Sequence, residues 1–332
     1  MKKIYLLAFS LSASLFFAQQ TPPFLENFSY AAAATLQTQP GWVAINTGDD
    51  LIIATPSLTY TGLSESFGNK LKFDGAGIDA GKDFANVAAN TVYYSFLLNV
   101  TDLTPTTSTT GGYFAGLVQG TTTNFGATLW VKKIDANTFN LGVNPRTTVA
   151  NTAFATAAYN INQTYLVVVS YNFNAAAADD VVKIWINPTI GGAEPVANAT
   201  ATNTTGTDLT GISRFLVRQG SATDTPFVEM DELRIATNYN DATTTTVALA
   251  ADKFNAIAGL NIFPNPVSGN ILNIETAANG TKAISIFDVL GKQVLNITTD
   301  NTTVNISNLN AGVYIVKISE EGKTATRKLV VR

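Results

Sequence analysis

The chain has 332 residues, a formal net charge of −4, only 13% charged residues, and neither histidine nor cysteine. Histidine titrates near neutral pH and is the commonest metal ligand, so Ser-His-Asp and Cys-His catalysis, zinc sites and haem ligation are excluded, and no disulfide can form. Weak acidity without a Lys/Arg stripe argues against nucleic acid, because phosphate binding needs clustered cations.

Lys2 and Lys3 precede an apolar stretch over residues 4–17. That is too short for a transmembrane span and right for the apolar region of a secretory signal peptide, which we place at residues 1–18 with cleavage after Ala18. No later segment approaches the roughly 20 apolar residues of a membrane helix, so no transmembrane segment is expected in the mature chain.

Residues 19–240 read as strands throughout. The clearest are NKLKFDG (69–75), TVYYSFLLNV (91–100), GYFAGLV (112–118), GATLWVKK (126–133), TYLVVVSYNF (164–173), DVVKIWIN (180–187), ISRFLVRQ (212–219) and PFVEMDELRIA (226–236), with Gly, Pro, Asn and Asp between them. No sustained 3.6-residue period occurs outside the leader, although AAAATLQ (31–37) allows one turn of helix. Many strands of this length predict two packed sheets in a jelly roll. Trp130 and Trp185 are expected in its core, and Trp42, after a Pro-Gly turn, is the best candidate for an exposed aromatic even though burial is slightly favoured. The acidic pairs Asp49-Asp50, Asp179-Asp180 and Glu320-Glu321 flank turns, where carboxylates cap backbone amides.

An Ala/Thr-rich linker without clear alternation follows at 241–259, and a second β-domain at 260–332. There Ile284, Ile286, Val294, Val304, Ile306, Tyr314, Val316 and Ile318 fall at period two, the spacing of half-buried strands. Asp288 and Gly291 bracket a hairpin turn, Asp through its side chain and Gly through positive φ, and Asn310-Ala311-Gly312 repeats that chemistry. A seven-strand sandwich of immunoglobulin-like form is predicted, giving an all-β chain of two domains.

The same tail carries Asn265-Pro266 after a short apolar strand, DVLGK at 288–292, LNAGVYIV at 309–316 and a closing KLVV run opened by Lys328. In this order it resembles the type A C-terminal sorting domain of the type IX secretion system of Bacteroidetes-type bacteria. The resemblance implies Asn265, Pro266, Asp288, Gly291, Lys292, Gly312, Tyr314 and Lys328 as sorting-motif residues and the secretion machinery as partner. It also implies a secreted or outer-membrane-surface location reached through the periplasm, with the tail removed and, in some relatives, attachment to surface lipopolysaccharide.

The preceding domain, through LENFSYAAAATLQTQPGW at its start, SLTYTGL (57–63), TYLVVVSYNF and VEMDELRIATNYND (228–241), resembles the concanavalin-like, laminin-G-like jelly rolls, a group of lectins, adhesive modules and polysaccharide hydrolases. Glu229-Met230-Asp231-Glu232-Leu233-Arg234 is similar to the E-x-D-x-x-E signature of laminarinase-like hydrolases, in which the two glutamates are nucleophile and acid/base. Here the last position is Arg234, which cannot exchange a proton, and Glu232 is one step off along a strand and points to the opposite face. The expectation is that Glu229 and Asp231 alternate outward on an edge strand, with Arg234 pairing locally.

The jelly-roll resemblance also implies a structural calcium ion held by Asp231 together with backbone carbonyls of the Asp74-Gly75 turn and of the opening strand near Glu26; oxygen ligands suit that ion. The expected activity is non-catalytic binding of a glycan or another surface component, with loops 101–112, 119–126 and 144–160 as an open rim. A polysaccharide-active hydrolase using carboxylates elsewhere, or a lyase, and a purely structural surface or adhesion protein are the alternatives.

Overall fold

In a computed structural model the described residues are 19–63, 68–121, 123–244, 257, 259–278, 280–320 and 323–332. The expected signal peptide, most of the linker and Glu321 lie outside them. The chain divides into two compact units, Met1–Val247 and Ala248–Arg332.

In the first unit the strands begin with β1 (Phe24–Glu26), β2 (Trp42–Ala44), β3 (Ile52–Ala54), β4 (Lys70–Phe73), β5 (Ala80–Val87), β6 (Thr91–Asp102), β7 (Gly112–Val118) and β8 (Phe125–Lys133). They continue as β9 (Thr138–Asn144), β10 (Ala153–Phe154), β11 (Tyr159–Asn160), β12 (Thr164–Asn172), β13 (Val181–Ile186), β14 (Ala199–Thr202), β15 (Ile212–Val217) and β16 (Phe227–Ala236). Among the described residues they form two antiparallel sheets of eight strands. The first runs β14-β13-β12-β6-β16-β4-β3, with β1 also on β16, and the second β10-β9-β8-β7-β15-β5-β2, with β11 also on β9. Long crossovers, such as β6 lying between β12 and β16, make this a jelly roll rather than a meander.

The long apolar runs are explained by burial on both faces. Along β6, Tyr94, Phe96, Leu98 and Val100 point between the sheets, while Tyr93 and Leu97 point the other way, into a second cluster with Leu166, Val168, Trp185 and Leu58. A short α-helix, Tyr239–Thr243, helps roof that outer face through Tyr239 and Ala242. The outer face of the second sheet is covered in part by its own chain. Thr128 Oγ1 donates to the Arg146 carbonyl, Asn144 Nδ2 donates to that of Thr148, and Phe154 lies so close to Gly142 that a Cβ there would meet its ring at 2.7 Å.

Trp42 is buried, the outcome slightly favoured over exposure: it is 5% exposed, lies 6.1 Å from the Phe28 ring and donates through Nε1 to Glu26. One expectation is corrected: the strand bearing Glu229 and Asp231 is not an edge strand. β16 is central, bonded to β6 on one side and to β4 and β1 on the other. Trp130 and Trp185 are buried, and the one expected turn of helix is a 3-10 turn at Leu36–Thr38.

The second unit has β17 (Asn261–Phe263), β18 (Ile271–Glu275), β19 (Lys282–Asp288), β20 (Gln293–Thr299), β21 (Thr303–Asn305), β22 (Gly312–Glu320) and β23 (Lys323–Val331). These seven strands form a three-stranded sheet, β17-β18-β21, and a four-stranded sheet, β20-β19-β22-β23. Ile284, Ile286, Val304, Ile306, Tyr314, Val316 and Ile318 all enter its core, as their spacing predicts.

Candidate functional site

On β16 the register separates the parts of the expected calcium site. Asp231 pairs with Leu97 and shares its outward face, whereas Glu26 pairs with Leu233, which belongs to the core between the sheets. Opposed residues of an antiparallel pair share a face, so Glu26 and Asp231 lie on opposite sides of the sheet. Glu26 is held by the Lys82 ammonium at 2.6 Å, the Tyr30 hydroxyl and the Phe28 amide. Asp231 accepts from Ser57 Oγ, the Leu58 amide and the Glu232 amide, while the Asp74 amide donates to Gln219. The Asp231 carboxylate is thus bonded to protein donors and lies across the sheet from the Glu26 side chain.

Burial pushes Asp231 up to about 7, against the lowering effect of the Ser57, Leu58 and Glu232 hydrogen bonds, with the Glu232 charge adding to the rise. The bulge between Asp231 and Arg234 breaks the alternation, and Glu232 takes φ 53°. Glu232 and Arg234 then form a buried ion pair of 2.8 Å, the local pairing expected for the arginine. Glu229 is held by Lys70 at 2.8 Å and by Asn99 Nδ2.

An open cleft of about 580 Å³ lies where three parts of the first unit meet: Gln119, Thr123 and Asn124 of the β7–β8 connection with Phe125 at the start of β8, 146–148 after β9, and 205–210 between β14 and β15. Arg146 Nη1 donates to the Thr207 carbonyl at 2.7 Å, and the Thr210 amide donates to Gln119 Oε1 at 2.8 Å, tying the walls together. The lining is hydroxyls, amides and one guanidinium, with Phe125 half-buried and Asn124 exposed. Asp208 stands in the wall; burial raises its pKa, but hydrogen bonds from Asn203 and from the amides of Asp179, Asp180 and Ala178 hold it below its ordinary value overall. Two of the three expected rim loops contribute to the cleft, and 101–112 does not. The 205–210 wall was missed because it carries no signal beyond a Thr/Gly-rich turn.

In the second unit the residues expected to form the sorting motif are brought near one another. Asn265 Nδ2 donates to the Lys328 carbonyl at 2.7 Å, and its Oδ1 accepts from the Val330 amide at 3.0 Å. Just past Pro266, Val267 continues this clamp, its amide donating to the Val330 carbonyl. Asp288, Tyr314 and Leu329 lie side by side on β19, β22 and β23. Asp288 Oδ1 accepts from the amides of Leu290 and Lys292, and Gly291 has φ 80°. Tyr314 Oη donates to the Asn310 carbonyl, and Gly312 opens β22 opposite Val331.

The family model described as the secretion system C-terminal sorting domain matches residues 261–332. No curated protein sequence matches the chain. Among solved structures it is similar to domain 4 of AbnA, a GH43 extracellular arabinanase from Geobacillus stearothermophilus in complex with arabinotriose, at 15% identity over 67% of this chain and 88% of that chain, with a TM-score of 0.34. It is also similar to Trypanosoma rangeli sialidase, at 15% identity over 68% of this chain and 37% of that one, TM-score 0.36. The carbohydrate recognition domain of Emp47p gives 9% identity over 62% and 94%, TM-score 0.34. Among the described residues no helix is long and apolar enough to cross a membrane. With its motif pieces folded together along the closing strands, residues 261–332 are a type IX secretion system C-terminal sorting domain, which directs the protein to the cell surface or the extracellular space.

Proposed function

We propose that the first unit is a non-catalytic module that binds a glycan on or outside the cell, carried there by the sorting domain. The cleft between the 119–125, 146–148 and 205–210 loops carries this reading. Its Thr hydroxyls and its Asn and Gln amides offer donors and acceptors together, the pattern a polyhydroxylated ligand requires. Half-buried Phe125 adds an apolar surface for the face of a sugar ring.

A hydrolase would need two carboxyl groups about 5–10 Å apart flanking the bond. Asp208 is the one carboxylate among the residues lining the cleft. On β16, Arg234 replaces the acid/base, and Glu229 is engaged by Lys70 and Asn99. These observations favour binding over hydrolysis.

The test is a glycan array probed with the whole chain, with Asn124→Ala and Arg146→Ala beside it. We expect binding to at least one polysaccharide class, reduced about tenfold or more in each variant, roughly the loss of one or two hydrogen bonds, with the β-sheet circular dichroism signal retained. An array without hits, variants that bind as the parent does, or reducing-sugar release from the bound polysaccharide would overturn the reading.

A further inference from the structure

A second polar cluster lies behind the Asp208 wall of the cleft. Asp179 and Asp180 close the turn between β12 and β13, and Asp208 lies in the β14–β15 connection. One carboxylate oxygen from each falls within 4.8 Å of the others. Among the described residues no Lys or Arg forms an ion pair with any of the three. Three like charges this close repel unless something neutralises them.

The neighbouring strand adds an independent observation. Val181 pairs with Thr202, and one step further the Asn203 amide donates to the Asp180 carbonyl at 2.8 Å. Asn203 therefore stands opposite Asp180, on the same face of the sheet. Its side chain is 1% exposed and turns into the cluster, Nδ2 donating to Asp208 Oδ1 at 2.6 Å. The other end of that amide, Oδ1, is buried without a partner, and so is Asp179 Oδ1.

Rotating the amide gives no relief, because its carbonyl oxygen would then face the Asp208 carboxylate. A buried acceptor left unsatisfied is costly, and here one belongs to the acidic cluster and another lies beside it. A cation answers both the repulsion and the orphaned oxygens. All the donors are hard oxygens, and around Ca²⁺, with ligands at about 2.3–2.6 Å, oxygens on opposite sides stand roughly 5 Å apart. Asp180 already accepts from the Tyr171 hydroxyl and the Asn174 amide, yet a carboxylate has about four lone-pair sites, so capacity remains.

We propose that Asp179, Asp180 and Asp208, together with Asn203 Oδ1, form a calcium site that ties the β12–β13 turn to the β14–β15 connection. The site is distinct from the position expected at Asp231 and stands whether or not the cleft takes a glycan. By fixing Asp208, the ion also fixes one wall of that cleft.

Isothermal titration of CaCl₂ into the whole chain tests it, with MgCl₂ as comparison and no glycan present. We expect one saturable site with a dissociation constant of about 10⁻⁴–10⁻³ M, the range of extracellular calcium modules, and Mg²⁺ weaker by about tenfold or more, since it demands a tighter octahedron. Asp179→Asn is the informative variant, because Asp179 Oδ1 has no hydrogen bond to lose; it and Asp208→Asn should each weaken calcium about tenfold or more, roughly the loss of a charged ligand. No saturable binding up to about 10 mM Ca²⁺, well above that range, would overturn the proposal. So would an Asp179→Asn protein that binds calcium as the parent does.

Discussion

Asp231 makes a residue-scale prediction about pH. Its pKa, pushed up to about 7 by burial, means that the native protein holds a proton there which the unfolded chain releases at lower pH. The associated stability is complete below the ordinary carboxylate pKa and is lost as pH rises from about 4 towards about 7. Asp231→Asn keeps the side chain neutral throughout, so urea midpoints measured across that window should fall less steeply with pH than in the parent; equal slopes would show that Asp231 does not titrate there. At this scale the sequence was partly legible. The replacement of the third acid by Arg234 could be read directly, and so could its local pairing. The burial of Asp231 could not, because the Ser57-Leu58 segment that covers it lies far away in sequence, and neither could the bulge beside it, since a glutamate at φ 53° has no signature in residue type.

Strands were legible where both chemistry and length spoke. The eight clearest runs in the front unit all became strands, since β-branched and aromatic residues suit a pleated surface. β5 and β9 lack that signature: Ala80–Val87 contains Gly, Lys, Asp and Asn, and its strand character comes from pairing with β15 and β2. In the tail, Val294 is only half-buried because β20 is an edge strand with a bulge opposite Ile286 and Phe287. The clamp by Asn265 is the element most open to test. Asn265→Ala removes both of its bonds to β23 and should destabilise the second unit by about 1–3 kcal/mol. Hydrogen exchange should quicken at the Val330 amide while Ile284 and Ile286 in β19 stay protected; uniform exchange across both strands would refute a local clamp.

For the whole molecule, the address was more legible than the cargo. Sorting-domain signals are local turns and short strand motifs, whereas the cleft is assembled from three connections far apart in sequence, one of them invisible before folding. Deleting residues 261–332 should leave the protein in the periplasm, measured by fractionation and immunoblot of the medium, the surface and the periplasm. Normal appearance outside the cell would defeat the export assignment.

The roofing of both sheets has a consequence for how this architecture diversifies. A lectin that uses the broad face of a sheet must alter strand residues to change its preference, and each alteration risks the packing beneath. Here the helix Tyr239–Thr243 and the segment around Phe154 cover part of those faces, so under the proposed glycan-binding role selectivity would rest on residues of three short connections. Exchanging the exposed residues of these connections between homologous cargoes, with Asp208 and the buried Leu209 kept, should transfer preference for one polymer or another while the two sheets beneath melt as before.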